Sequence, residues 1–421
     1  MKITMITIGS TGDVRPYMLL GRELKRRGHD VTVAAFAPFE DMIRNAGLQF
    51  FPISGDVVDL MNHLMKPGAV GVSYLREAEK AISKVAPLLL RDLIRAAEGA
   101  EAMVCNFFGT MYYSVAEKYG IPCVQTHFFP MDPNPLMPIS SAPFPHLGRW
   151  WNRLSYRVGY LLISLLEKRY LTDWRKENGL KVRGLRTKPD YSCKGHRIPA
   201  IYATSPLLMP RPDNWDEHIY MSGFWWDEST CEFAPPQELM RFLQSGGKPI
   251  YIGFGSMVSG NMDETFQTVR EAVEKSGVRA IIATGWAGEK QPVNTEQIFY
   301  ADYVPHDWLF GHVSAAVHHG GAGTTASSLR AGLPTLVVPF GGDQPFWGER
   351  VYAAGCGPKP VPRDGMTAAQ LAEALRDLAD NAEYRRNAEA MGAAMRQEHG
   401  LQRAAGIIEQ EIAAWLSADK N

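Results

Sequence analysis

An apolar strand that runs straight into glycines leaves the backbone few ways to continue, and this chain makes that junction repeatedly. The fullest case is Val317-His318-His319-Gly320-Gly321-Ala322-Gly323-Thr324-Thr325, followed by a helical pattern over Ala326–Ala331. Bare glycines allow close approach. The N–H groups and the positive dipole end of the following helix then face an anion. Thr324 and Thr325 add hydroxyl donors, and His319 is placed to give a charge-assisted bond to a phosphate oxygen. The run is neither a P-loop nor a dinucleotide fingerprint, because it lacks the Walker lysine and the required glycine spacing. A ligand-free glycine turn is the plain alternative, and the paired histidines weigh against it.

The same junction opens the chain. A strand over Lys2–Ile8 meets Gly9-Ser10-Thr11-Gly12-Asp13, then a helix to about Arg27 and a strand at Asp30–Ala35. This is a βαβ unit, which implies parallel strands and a right-handed crossover. The pattern recurs at Ala102–Cys105, a helix near Met111–Tyr119 and a strand at Ile121–Gln125. It resumes later with strands at Lys248–Gly253, Val278–Thr284, Ile298–Tyr300, Ala315–His318 and Thr335–Val338. Helices at Thr367–Asp380, Ala382–Gln397 and Gln402–Ser417 close the chain. The expected architecture is α/β, with two Rossmann-like domains facing each other across a cleft. Residues 1–225 form the first, 226–240 the linker and 241–400 the second. Residues 401–421 form a last helix that packs back on the first domain. In open sheets of this kind the ligand sits beyond the carboxyl ends of the strands.

Three further segments carry candidate chemistry. Gly253-Phe254-Gly255-Ser256 follows a strand and is placed to face the same ligand as His319. Pro339-Phe340-Gly341-Gly342-Asp343-Gln344-Pro345 offers acceptors and donors that suit vicinal sugar hydroxyls. A helix N-cap at Asp343 is the structural alternative, and both roles are compatible. In Asp302-Tyr303-Val304-Pro305-His306 an aromatic before proline can present a ring face to a heterocycle, although a core tyrosine explains it equally.

A proline-rich stretch, Phe128–His146, precedes a long amphipathic pattern. Trp150, Leu154, Val158, Leu161 and Leu165 recur at helical spacing, with Arg149, Arg153 and Arg157 on other faces. The simplest expectation is a helix packed on its own domain. A lid over an apolar ligand or a membrane-surface contact through the arginines is the sharper one.

The 421 residues hold 44 Lys+Arg against 45 Asp+Glu, a net charge of −1. A dominant nucleic-acid surface would need a basic excess, so no nucleic-acid partner is expected. Five cysteines without CxxC spacing argue against a zinc site or disulfide framework and for a reducing compartment. The N-terminus reads as a strand, with no signal-peptide core, and no run approaches the ~20 apolar residues of a membrane span. A cytoplasmic protein is the expectation.

The segments VPHDWLF, HHGGAGTTASSLRAGLPTLVVPFGGDQPFWG and TIGSTGDVRPYMLLGRELKRRGHDV resemble those of GT-B-fold family 1 glycosyltransferases. Within that family they are most similar to the sterol glucosyltransferases and the macrolide and glycopeptide glycosyltransferases. The resemblance falls at both ends of the chain and is only general over about Pro130–Phe233. It implies that Ser256, His319, Gly321, Gly323 and Thr324 hold the donor diphosphate. Tyr303 would stack on the nucleobase while the Val304 backbone reads its edge. Asp343 and Gln344 would bind the donor sugar. Tyr303 and His306 depart from the plant-type Trp…Gln pattern, which leaves UDP against dTDP open.

The activity implied is inverting transfer of a sugar, expected to be glucose, from a UDP-sugar to a hydroxyl of a small lipophilic acceptor such as a sterol, polyphenol or macrolide. Asp13 is the expected general base, with a helix N-cap as its structural alternative. No metal or other cofactor is expected. Ser10, His127, Phe128 and Met131 are candidates for the acceptor pocket. They belong to a wider aromatic set with Phe107, Phe108, Phe129, Trp150 and Trp151 that is equally compatible with core. His29 reads as part of a helix-to-strand turn. A silent nucleotide-sugar-binding partner, a UDP-sugar epimerase and a lipid-linked sugar transferase stay as alternatives. A peripheral membrane contact also stays open, as does the choice between monomer and weak dimer.

Overall fold

The structure is a computed structural model that describes all residues except 56–71, 107–108, 140–141, 143, 145–146, 228–232, 256–261, 285–292, 303 and 419–421. The chain divides into two compact units. One comprises Met1–Pro206, Pro210–Asp227 and His399–Asn421, the other Leu207–Met209 and Glu228–Glu398.

In unit one the order is β1 (Lys2–Ile6), α1 (Thr11–Arg26), β2 (Asp30–Phe36), α2 (Glu40–Asn45), β3 (Gln49–Ile53), α3 (Val72–Ala96), β4 (Ala102–Cys105), α4 (Gly109–Tyr119), β5 (Cys123–His127) and α5 (Arg149–Glu177). A small antiparallel pair follows, β6 (Ser192–Cys193) and β7 (His196–Arg197), then β8 (Ala200–Tyr202) and β9 (Ile219–Met221). Seven strands pair in parallel in the order β3-β2-β1-β4-β5-β8-β9. The central strands β4 and β5 are buried at every residue. Strands covered on both faces lose the in–out alternation of a half-exposed sheet and read as continuous apolar runs.

Unit two holds α6 (Gln237–Gln244), β10 (Ile250–Gly253), α7 (Met262–Ser276), β11 (Ala280–Ala283), β12 (Ile298–Ala301), α8 (His306–Leu309), β13 (Ala315–His318), α9 (Ala322–Arg330), β14 (Thr335–Val337), α10 (Gln344–Ala353), α11 (Ala368–Asp380) and α12 (Ala382–Met395). Its five strands are parallel in the order β12-β11-β10-β13-β14. In both sheets the order reverses direction beside the first strand, between β1 and β4 and between β10 and β13. Ligands of open α/β sheets bind beyond the strand ends at such a reversal.

The last helix, α13 (Gly400–Ala418), belongs to unit one. Ile408 and Ile412 are fully buried in that unit's core, and Trp415 nearly so. Arg27 bonds both Glu23 (2.7 Å) and Glu409 (2.8 Å), and His29 meets Glu409 at 2.9 Å. His29 therefore helps to tie α13 to the turn after α1.

Several sequence expectations shift. The strand expected at Ile121–Gln125 runs instead over Cys123–His127. Pro122 has no N–H to give, so the register with β4 begins at Cys123 opposite Met103, although the Pro122 carbonyl already accepts the Met103 N–H at 2.9 Å. His127 thus ends a strand and does not lie in the loop beyond it. The elements β3, α3, β8 and β9 were not expected at all. The helix α5 packs on its own unit as expected, with Leu171 in the core, but its N-terminal half does not do so through the apolar positions singled out. Its buried residues near the start are Asn152, Ser155 and Tyr156, while Trp150, Val158 and Leu165 are 72%, 45% and 44% exposed. The helix faces inward with polar groups because the proline-rich loop needs them. Asn152 donates to the Pro135 carbonyl (3.0 Å), Ser155 accepts the Ile139 N–H (2.9 Å) and Tyr156 donates to the Pro130 carbonyl (3.2 Å).

Truncating a fully buried α13 side chain, Ile412→Ala, should cost about 2–5 kcal/mol through lost burial and a residual cavity. Chemical denaturation should show the loss as an earlier unfolding transition. An unmoved transition would show that α13 adds nothing to the core of unit one.

Candidate functional site

In unit two, β10 and β13 end side by side at the sheet reversal. A Cβ on Gly255, which has φ +62°, would lie 3.2 Å from Cε1 of His319. A Cβ on Gly321 would lie 2.5 Å from its Nε2. The imidazole is therefore held between the two glycine loops. Gly320 (φ +90°) is equally constrained, since a Cβ there would come 2.5 Å from Val337 Cγ1 and 3.0 Å from the Gln344 carbonyl oxygen. The structure thus brings together His319, Gly321, Gly255 and the Asp343-Gln344 turn. Gly321 caps α9 with no side-chain bond of its own, and the first N–H groups of a helix have no partner within it. A Cβ at Gly323 would meet nothing within 4 Å, so this glycine leaves room over the helix start. Thr324 is half-buried. Thr325 is fully buried, and its Oγ1 has no hydrogen-bond partner.

His319 is only half-buried as a residue, yet its Nδ1 is buried and has no hydrogen-bond partner. Burial, with the nearby His306 second, lowers its pKa to about 4. The ring is therefore neutral at pH 7. It offers an ordinary N–H, and the charge-assisted bond expected from sequence would require protonation, which a nearby anion favours.

The neighbouring His318 does different work that the sequence did not reveal. It is fully buried, its Nδ1 accepts the Gly320 N–H at 3.0 Å, and its Nε2 lies 3.2 Å from Ser328 Oγ on α9. Since Nδ1 accepts, the proton sits on Nε2 and points to Ser328. The ring pins the glycine loop to α9.

Asp343 precedes α10 but makes no side-chain cap. Its Oδ2 accepts from the Trp347 indole at 2.7 Å, and burial raises its pKa to about 6. The Gln344 Oε1 accepts the Phe340 N–H (2.7 Å) and the Gly341 N–H (3.3 Å), so its carbonyl holds its own loop. Val304 is half-buried against the cluster that contains Tyr251, Phe299 and Leu309. His306 bonds Tyr251 Oη at 2.9 Å and stacks on Phe310 at 4.6 Å. Ser256 and Tyr303 lie outside the described residues.

In unit one, Asp13 stands beyond β1, also at the sheet reversal. It occupies the fourth position of a capping box whose cap is Ser10. The Asp13 Oδ2 accepts the Ser10 N–H at 2.8 Å and its hydroxyl at 3.3 Å, and Ser10 Oγ accepts the Gly12 N–H at 3.3 Å. Ser10, not Asp13, is the N-cap. A Cβ on Gly9 would lie 2.1 Å from that carboxylate oxygen, so glycine is required there. Asn106, at the end of β4, donates to the Ile8 carbonyl (3.0 Å) and to Thr7 Oγ1 (3.3 Å), and Thr7 in turn donates to the Asp13 carbonyl (3.1 Å). Asn106 was not singled out from sequence. Its position at the end of the strand beside β1 was the available signal.

The acceptor candidates separate. Phe128 packs edge-on against Tyr17 (6.1 Å) and Trp225 (5.6 Å) at the edge of the core. Met131 is half-buried, and its backbone is held by Tyr202 (3.0 Å) and Tyr160 (2.8 Å). Phe107 and Phe108 lie outside the described residues. Among the described residues no group of three or more His, Cys, Asp or Glu is placed to hold a metal ion.

Comparison with known proteins fits this geometry. Residues 3–135 match the glycosyltransferase family 28 N-terminal domain, and residues 281–409 match the C-terminal domain of erythromycin biosynthesis protein CIII-like proteins. The sterol 3-beta-glucosyltransferase UGT80A2 of Arabidopsis thaliana is 35% identical over 437 residues, covering 100% of this chain and 67% of that protein. The chain belongs to the GT-B glycosyltransferase family. A sterol 3-beta-glucosyltransferase of Pichia angusta is 32% identical over 100% of this chain, which spans only 34% of that longer protein. The solved glycotransferase of kitacinnamycin superposes with a TM-score of 0.71 at 20% identity, covering 97% of this chain and 98% of its own, which shows the shared fold.

This glycosyltransferase also contains a buried polar cluster that only the structure reveals. Asp132 Oδ2 accepts from Tyr202 (2.6 Å) and Tyr191 (2.8 Å), and Tyr191 Oη meets His127 Nε2 at 3.1 Å. His127 is thereby part of an interior network, with its Nδ1 buried and unpartnered. Burial lowers the His127 pKa to about 3 and raises that of Asp132 to about 6.

The two groups act on stability in opposite senses. Asp132 binds its proton more tightly folded than unfolded, so its contribution is greatest below about pH 4 and is lost as pH rises through 6. The rise from the usual carboxylate value near ~4 to about 6 corresponds to roughly 3 kcal/mol. His127 contributes above about pH 6.5 and loses that as pH falls toward 3. Asp132→Asn keeps an acceptor for the tyrosines but removes the titration. Its thermal midpoint should gain on the wild type between pH 4 and pH 7, and a constant difference would mean that Asp132 does not titrate there.

Proposed function

We propose that this glycosyltransferase moves glucose from UDP-glucose to the hydroxyl of a sterol or a comparable lipophilic alcohol, inverting the anomeric centre. The observation that carries the reading is the unpartnered Nδ1 of His319, held between two glycine loops beside the open start of α9. A diphosphate supplies the acceptor oxygens that this arrangement lacks. The names of the relatives support glucose as the sugar and sterol as the acceptor.

Transfer requires the acceptor hydroxyl to lose a proton, its oxygen to attack the anomeric carbon, and the bond to the β-phosphate oxygen to break. Charge develops on the leaving diphosphate. The N–H groups at the start of α9, Thr324 and His319 are donors for it that need no reorganisation. Gly321 and Gly323 keep side chains out of the way, and Ser256 joins this set through the family resemblance. Tyr303 and Val304 take the base on the same ground. Asp343 accepts from the sugar hydroxyls, and the Gln344 amide donates to them while its carbonyl holds the loop. A single displacement of an α-linked donor gives a β-glycoside. No step of this transfer uses a metal, so activity should persist in EDTA.

Asp13 takes the acceptor proton. A carboxylate is a weak base in water, with a pKa near ~4, and it works here by position. The capping box supports this role, because it fixes the carboxylate at the mouth of the sheet. Asp13→Asn keeps a cap acceptor and removes the base. Turnover should fall about 100-fold to 10,000-fold while UDP binding is retained. Turnover near the wild-type value would remove Asp13 from the mechanism.

The donor and acceptor are tested together with a panel of UDP-glucose, UDP-galactose, UDP-GlcNAc and dTDP-sugars against one sterol, one flavonoid and one macrolide, read by mass spectrometry. The expected product is the sterol β-glucoside from UDP-glucose. Conversion of the nucleotide sugar without acceptor would point to an epimerase, and no transfer from any donor would overturn the proposal.

A further inference from the structure

The outward face of α5 is unusual for a soluble surface. Trp150 is 72% exposed, and Val158 and Leu165 are nearly half exposed. Leu147, just before the helix, is 61% exposed. Large apolar side chains grouped in this way mark an interaction surface more often than isolated ones do. The inward face is settled by Asn152, Ser155 and Tyr156, which hold the proline-rich loop, and by Gly159, where a Cβ would lie 2.7 Å from Ile139. At 100° per residue the opposite side is centred on Trp150, Leu154, Leu161 and Leu165. Arg149, Arg153 and Arg157 recur every fourth residue along one border of that apolar face, and all three are exposed. None of the three makes an ion pair among the described residues. No acidic residue occurs between Arg149 and Leu166.

We propose that this face of α5 docks on an anionic phospholipid surface, with Trp150, Leu154 and Leu165 entering the headgroup boundary and the three arginines meeting lipid phosphates. The charge pattern selects this occupant, because an uncompensated basic border beside an apolar stripe with a tryptophan complements negative headgroups over hydrocarbon. From Trp150 to Leu165 the helix presents about 22 Å of this face, lying along the surface. Among the described residues no helix is long and apolar enough to cross a membrane, so the contact is a surface one. The inference does not depend on the assignment of donor, acceptor or base.

Vesicle flotation tests it with the full chain. Phosphatidylcholine vesicles carrying a minor fraction of phosphatidylglycerol are compared with phosphatidylcholine alone, at low and high salt. The wild type should float with the anionic vesicles at low salt and be released as salt screens the charges. Each arginine near an anionic surface is worth about fivefold in partitioning. The triple variant R149Q/R153Q/R157Q should therefore lose on the order of 100-fold. Trp150→Ala should weaken binding independently of salt. An unchanged thermal midpoint for both variants shows that they are folded. Wild-type protein that stays unbound with anionic vesicles would overturn the proposal, as would a triple variant that floats equally well. Self-association that Trp150→Ala abolishes, without vesicle binding, would overturn it in favour of a contact between copies of this chain.

Discussion

The close approach of the His319 imidazole to Gly255 on one side and Gly321 on the other is the constraint on which unit two depends. Any side chain at Gly321 would collide with the ring, and one at Gly255 would press on it. The two glycines follow different strands, so the contact also fixes how the ends of β10 and β13 sit. His318 reinforces this from below. Its ring takes the Gly320 N–H and turns its other nitrogen to Ser328, so the loop cannot shift without leaving a buried imidazole unpaired. Two adjacent histidines thus divide the work, one as a buried strut and the other with a nitrogen unsatisfied beside the helix start.

Unit one uses the same device for a different end. A strand again runs into a glycine, and the missing side chain at Gly9 lets the Asp13 carboxylate fold back over the loop. Here the helix start is closed by its own capping box, where α9 is left open. A closed start fixes a carboxylate, whereas an open one presents donors. Two otherwise similar strand–glycine–helix junctions thus differ in whether the helix start is already capped.

The features legible in the sequence were those encoded within a few consecutive residues. The glycine junctions, the parallel βα alternation and the final helices appear in the pattern because local backbone geometry and burial of a strand on both faces leave local signatures. Elements with weak local signal, such as the three-residue strands β8 and β9, did not appear. The apolar spacing of α5 was read as an inward face, yet the loop it covers has backbone groups to satisfy, and Asn152, Ser155 and Tyr156 were recruited instead. Phe128, left open between pocket and core by its sequence, packs against Tyr17 and Trp225 at the edge of the core.

By itself the sequence determined the class of fold, the strand ends that carry glycines, and the residue types available there for anion and hydroxyl recognition. Tertiary structure alone decided which of those groups are satisfied. Asp13 and Ser10 form one cap, His127 joins Tyr191 and Asp132 in the interior, His318 is a strut, and His319 keeps an unpartnered nitrogen. The reason is physical. A residue's identity sets how many hydrogen bonds it can make, but whether they are already made depends on partners far away in the chain. The packing of distant strands and loops also sets the burial that lowers the pKa of His319 and raises that of Asp132.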